Sequence, residues 1–133
     1  MSTLAEITQT DLKSISCDAS VKEAATRMRD EKISSLLVEK NHDLVGIITD
    51  TDVVRRAVAE GKDLTRMSVQ TIMTSPIATI ESMRTIQDAH DMMGDLGVRH
   101  LGVTDKGKLS GVVSARDLLV YFKRVSEPKI SQD

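Results

Sequence analysis

Aromatic rings are almost missing from this sequence: Tyr121 and Phe122 are the two it has, and it has no tryptophan. Platforms that stack single-stranded bases need several rings. The charge balance, 18 Lys and Arg against 20 Asp and Glu, also lacks the basic excess of a phosphate-backbone binder. Nucleic acid is therefore not an expected partner. Cysteine is limited to Cys17, which cannot close an internal disulfide, and His42, His90 and His100 share no metal-ligand spacing with it or with one another. No apolar run approaches the roughly 20 residues that span a bilayer, and the N-terminus does not read as a signal peptide. The expectation is a cytoplasmic protein with no membrane contact. A phosphate loop with its lysine and a nucleophile-base pair are both missing as well, so the chain reads as no enzyme.

What the sequence does have is an internal repeat. Gly46-Ile47-Ile48-Thr49-Asp50-Thr51-Asp52 aligns with Gly111-Val112-Val113-Ser114-Ala115-Arg116-Asp117 at an offset of 65 residues. The same offset runs without a gap from Leu4–Ala57 against Val69–Phe122, pairing Ile15 with Ile80, Ala24 with Ala89, Met28 with Met93, Leu36 with Leu101 and Val38 with Val103. The matches fall on apolar and turn positions, where a shared fold would demand them.

Each copy reads β-α-β-β-α. Ser20-Val21-Lys22-Glu23 has the form of a capping box, and Val21, Ala24, Ala25 and Met28 follow at the spacing of one helical face, to about Lys32. Ile33–Glu39 and Leu44–Ile48 are short apolar runs around the polar turn Lys40-Asn41-His42-Asp43, a hairpin pattern. The second copy answers with a helix opening at Thr85, strands at Val98–Thr104 and Leu109–Val113, and a turn at Asp105-Lys106-Gly107-Lys108. Met28, Met92 and Met93 fit helix faces as core filler or dimer contact rather than a cofactor box. Glu60-Gly61-Lys62-Asp63 reads as a helix stop and Ser75-Pro76 as a turned or extended link. The fold class is thus α/β (α+β), with two pseudo-twofold related repeats at 1–62 and 63–125 expected to pack sheet to sheet, and a loose tail over 126–133. A single copy of about 55 residues would be marginal alone.

The junctions 46–52 and 111–117 run from a strand directly into a helix. A helix start offers N-H groups and partial positive charge to a phosphate. Thr49, Thr51 and Ser114 add hydroxyl donors, while Asp52 and Asp117 present carboxylate oxygens suited to the two hydroxyls of a ribose. The same spacing, Thr-x-x-Asp or Ser-x-x-Asp, is also an ordinary helix cap, as at Ser20 and Thr85. Both readings stay open on spacing alone.

Gly-hydrophobic-hydrophobic-Thr/Ser-x-x-Asp, preceded by a strand-turn-strand and repeated in tandem, resembles the nucleotide-binding signature of the CBS (cystathionine-β-synthase) domain family. Ile72-Met73-Thr74 before Pro76, and Val98-Arg99-His100-Leu101, are similar to segments of the second member of a CBS pair. The resemblance covers about Leu4 to Phe122 and implies a Bateman module. Such a module is a non-catalytic regulatory unit whose inter-repeat cleft holds AMP, ADP, ATP, S-adenosylmethionine or a related adenosyl ligand; no other cofactor is implied. It further implies a homodimer, an unknown effector protein and signalling by conformational change. By the resemblance Asp52 and Asp117 hold riboses, Thr49, Thr51, Ser114 and Arg116 lie near phosphate, and Leu12, Ile15, Ile77 and Ile80 flank adenine. Arg99, His100 and Arg116 are expected to act in trans at the Asp52 site. Their counterparts in the first copy are Ser34, Ser35 and Thr51, so the expectation is tighter binding of phosphorylated ligands at Asp52. The first copy departs from the family pattern at Thr8-Gln9 and Asp11, where Met-Thr and proline are usual.

Overall fold

The computed structural model describes residues 2–127. The tail expected from Ser126 therefore falls outside the described residues from Pro128 onward, and Ser126 itself is the last residue of a helix.

The chain divides into two compact units, one of Lys13–Ile77 and one that joins the residues through Leu12 to those from Ala78 onward. In the first, β1 (Ser14–Ser16) leads into helix α1 (Val21–Glu31), and the hairpin of β2 (Ser35–Lys40) and β3 (Asp43–Thr49) follows. The sheet order is β1-β2-β3, with β1 parallel and β3 antiparallel to β2. The parallel pair needs a crossover, and α1 supplies it. Ser20 accepts the Glu23 amide at 3.0 Å, the hydroxyl half of the expected capping box. Val21, Ala24 and Met28 then turn one buried face onto Ile15, Leu36, Val38 and Ile48. Burying each large aliphatic side chain of this kind is worth about 1.5–3 kcal/mol.

After β3 the chain enters a single helical turn, α2 (Asp50–Asp52), which widens at once into a π-turn over Val53–Val58. The amide of Ala59 donates to the Val54 carbonyl, five residues back, at 2.8 Å. Gly61, at φ 67°, follows as the expected stop. A 3-10 turn at Val69–Thr71 buries Val69 and Ile72 in the same core, and Thr74 pairs with Ile47 beside the sheet.

The second unit repeats this plan. It comprises β4 (Thr79–Glu81), α3 (Ile86–Leu96), β5 (His100–Asp105), β6 (Lys108–Ser114) and α4 (Ala115–Ser126), with sheet order β4-β5-β6. Leu4, Ile80, Ile86, Ala89, Met93, Leu101, Val103, Val113 and Leu118 form its core. Here the complete capping box is present, Thr85 and Asp88 each satisfying the other's backbone amide. Both hairpins close through two positive-φ residues, Asn41-His42 and Lys106-Gly107, a tight turn that matches the twist of the flanking strands.

The compact units differ from the sequence repeats at their edges. The segment before Leu12 packs with the second sheet, where the Leu4 amide donates to Arg84 O at 2.9 Å and Gln9 pairs with Val112. The segment 69–77 packs with the first sheet. Each sheet is thus finished by the leading segment of the other copy, an exchange that repeat alignment alone does not reveal.

Candidate functional site

Both strand-to-helix junctions carry the same capping ring. At the first, the Thr49 amide and hydroxyl both donate to Asp52 Oδ2, at 3.0 and 3.1 Å, and the Asp52 amide donates back to Thr49 Oγ1 at 3.2 Å. At the second, the Ser114 amide and hydroxyl donate to Asp117 Oδ2 at 2.8 and 3.0 Å, and the Asp117 amide returns to Ser114 Oγ at 3.2 Å. The spacing that suggested either a cap or a ribose acceptor is therefore a complete cap in both copies. It uses one oxygen of each carboxylate and fixes the direction of the other.

That second oxygen is treated differently in the two units. Asp52 is 8 % exposed, the one buried charged residue among those described, and its Oδ1 faces Arg56 Nε at 3.7 Å. Arg56 is itself anchored, donating to the carbonyls of Ile72 and Met73 at 3.1 and 3.5 Å. Asp117 is only partly buried, and its Oδ1 accepts from the Gln9 carboxamide at 3.4 Å. Gln9 is held by paired backbone bonds with Val112 of 2.9 and 3.0 Å.

The amides of the first helical turn have partners of their own. At α2 the Asp50 amide donates to Ser34 O at 3.0 Å, the Thr51 amide to Asp50 Oδ1 at 2.8 Å, and the Asp52 amide to Thr49. All three amides at this junction already have partners, and Asp50, a second acid in the turn, accounts for that of Thr51. At α4 the Ala115 amide donates to Arg99 O at 2.8 Å. Alanine at 115 brings no carboxylate to the Arg116 amide.

The motif glycines have a packing role. A Cβ on Gly46 would meet Met73 Sδ and the Thr74 carbonyl oxygen, both at 2.8 Å. On Gly111 it would overlap Thr8 Cγ2 and lie 2.6 Å from the Gln9 carbonyl oxygen. Glycine is needed so that the backbone at Thr74 and Gln9 can bridge to Ile47 and Val112.

Of the other expected residues, Arg99 and Arg116 are exposed and His100 is half-buried, all in the unit that holds Ser114 and Asp117. Thr51 is half-buried beside Asp52. Ile15 and Ile80, expected to flank adenine, are each 5 % exposed and belong to the two cores. Leu12 and Ile77 keep partial exposure. An open depression of about 470 Å³ lined by Ser14, Cys17, Asp18, Glu39, His42 and Gln70 lies at the turn end of the first sheet, away from Thr49. Among the described residues no cluster of three or more potential metal ligands occurs, and no helix is long and apolar enough to cross a membrane.

From sequence, Arg55-Arg56 on the helix after Asp52 reads as a solvated face that a polyphosphate tail could reach, and nothing ties Arg56 to Asp52 or Gln9 to Asp117. Neither lies in the motif; Arg56 meets Asp52 at the i,i+4 spacing of one helical stretch, whereas Gln9 reaches Asp117 only through the fold.

The CBS domain model matches residues 4–59 and again 69–124. An uncharacterized protein of Methanopyrus kandleri is 33 % identical over 86 % of this chain, which spans 59 % of that relative's length. Among solved structures, a CBS-domain protein from Burkholderia ambifaria superposes with a TM-score of 0.90 at 27 % identity, covering 98 % of this chain and all of that one. The hexameric CBS-CP12 protein from bloom-forming cyanobacteria gives a TM-score of 0.84 at 27 % identity, covering 98 % of this chain and 78 % of its own.

Proposed function

Because the chain belongs to the CBS-domain family and carries two such domains in tandem, we propose that it is a non-catalytic regulatory module for an adenosyl ligand such as AMP, ADP, ATP or S-adenosylmethionine. One observation carries this reading. In each unit the capping ring locks Oδ2 of the aspartate and leaves Oδ1 at a fixed position beside a helix start. A preset acceptor loses little entropy when a ribose hydroxyl binds, which favours recognition. Ser114, Arg116, Arg99 and His100 supply donors for a phosphate near Asp117, Thr49 and Thr51 are the corresponding groups near Asp52, and Leu12 and Ile77 offer apolar surface for a base.

At about 0.3 kcal/mol per heavy atom, AMP would gain about 7 kcal/mol, a Kd on the order of 10 μM. This suits reversible sensing of a metabolite. Ligand binding stabilises one conformation, and a partner protein that prefers that conformation reads the signal. The partner is an effector on another chain, and the module acts as a homodimer.

Thermal denaturation with AMP, ATP and S-adenosylmethionine tests the reading, alongside mass spectrometry of small molecules released from the purified protein. A ligand at 100 times its Kd adds about 2.7 kcal/mol of stability. No shift with any of the three, and no adenosyl compound released, would reject it. A second reading, an interaction module without ligand, draws on the apolar exposure of the helices after the junctions: Leu119 is 69 % exposed, and Val54, Val58 and Val120 are also largely open. Sedimentation showing a self-associating protein indifferent to all three ligands would favour it.

A further inference from the structure

The two aspartates are pseudo-equivalent in sequence but not in what already occupies them. Position 56 is arginine in the first copy and its counterpart is Tyr121 in the second; position 50 is aspartate and its counterpart is Ala115. At the first junction the outward oxygen of a buried carboxylate faces a guanidinium that two backbone carbonyls hold in place. A carboxylate oxygen and the amide of Thr51 satisfy each other in the same turn. At the second, the outward oxygen of a less buried carboxylate meets one neutral carboxamide at 3.4 Å, so the contrast between the junctions lies in charge and burial rather than in distance.

We propose that Arg56 is a built-in occupant of the Asp52 carboxylate, standing where a ribose hydroxyl would bind, so that an adenosyl ligand fills the Asp117 site first. The inference rests on the adenosyl-ligand reading above and adds which site works and which residue decides it. A ribose hydroxyl that displaced Arg56 would separate an ion pair of 3.7 Å and leave a buried carboxylate without its counter-ion. Displacing the Gln9 amide exchanges one neutral donor for another. The resulting order is the reverse of the one that trans-acting Arg99, His100 and Arg116 would give, and one titration decides between them.

The probes are adenosine and AMP, titrated into uniformly 15N-labelled protein. In the wild type, amide shifts are expected first over Ser114–Asp117, with those of Thr49–Asp52 moving only at concentrations about tenfold higher or more. In Arg56→Gln the Thr49–Asp52 set is expected to move at about tenfold lower concentration for both probes, while the Ser114–Asp117 set keeps its midpoint. Because the wild-type order needs no variant, a poorly folded Arg56→Gln protein would not remove the test, and Arg56→Met offers a second substitution. Shifts that begin at Thr49–Asp52 in the wild type would overturn the proposal while leaving the adenosyl reading intact. So would an Arg56→Gln protein that loses AMP but keeps adenosine, since Arg56 would then be a phosphate contact. No shift in any protein with either probe would remove the adenosyl reading, and the proposal with it.

Discussion

The hydroxyl of Thr49 both donates to the Asp52 carboxylate, at 3.1 Å, and accepts from the Asp52 amide, at 3.2 Å, closing a ring with a residue that is 8 % exposed. Any ligand that uses Asp52 or Asp117 thus meets a carboxylate that is already part of the backbone's own satisfaction. Stability and recognition draw on the same atoms, and mutations at either junction will register in both.

Removing the ring hydroxyls separates the two junctions. Thr49→Ala and Ser114→Ala each delete an N-cap acceptor, worth about 0.5–2 kcal/mol. Thr49→Ala is expected near the top of that range, because it also takes a donor from a buried carboxylate. Ser114→Ala is expected lower, since Asp117 reaches water more readily. Urea denaturation of the two variants checks the order; equal losses would mean that burial of Asp52 does not matter to the cap.

Glycine substitutions give a second contrast. Gly46→Ala and Gly111→Ala each drive a methyl against a backbone carbonyl oxygen, at 2.8 and 2.6 Å, where no flexible side chain can simply move aside. Each is expected to lose about 1–3 kcal/mol or more. Gly94, within α3, has open space around the same position, so Gly94→Ala should gain about 0.5–1 kcal/mol from helix propensity. Thermal denaturation of the three variants reads the sign directly.

Acid should weaken the α3 cap. A hydrogen bond from Arg84 Nε at 3.0 Å, followed by bonds from the Thr85 backbone and hydroxyl, holds the Asp88 carboxyl below the usual aspartate range. A carboxyl whose folded value is depressed contributes stability that is present above its unfolded value and is lost as the pH falls through the folded one. Stability should therefore decline through and below the ordinary aspartate range, and Asp88→Asn should decline less. Because the pair is exposed, the difference should shrink in high salt. Urea midpoints at neutral pH and near pH 3, with and without salt, test this.

The sequence revealed elements whose causes are local. Ser20 and Thr85 marked helix starts, Asn41-His42 and Lys106-Gly107 marked tight turns, and the offset of 65 residues exposed the repeat behind the two sheets. What stayed hidden depends on contacts between distant positions. Gly46 reads as a motif glycine until Thr74 is seen against it, and Gln9 has no tie to Asp117 until the fold brings them together, whereas Arg56 lies at helical i,i+4 spacing from Asp52 and is legible locally. Ile15 and Ile80, which the family resemblance sets beside adenine, are each buried in a core, a placement that apolar character alone does not specify. The N-terminal segment belongs to the sheet of the second copy, a partnership that a gapless alignment cannot distinguish from pairing within the first.

The ends of α1 and α3 offer the most direct test of how far the two copies have diverged in stability. Lys32 and Gly97 occupy matching positions and the same left-handed backbone, φ 55° and 67°. Glycine adopts that region without steric penalty, whereas a side chain there costs on the order of 1 kcal/mol from crowding of Cβ. Lys32→Gly should therefore stabilise the protein by about 0.5–1 kcal/mol, despite the extra freedom it gives the unfolded chain, and Gly97→Ala should destabilise it by a similar amount. Both sites are exposed at helix ends, so neither change disturbs the cores. Opposite shifts in the urea midpoint are the expected result, and a destabilised Lys32→Gly protein would show that the lysine makes a contact there worth more than its backbone strain.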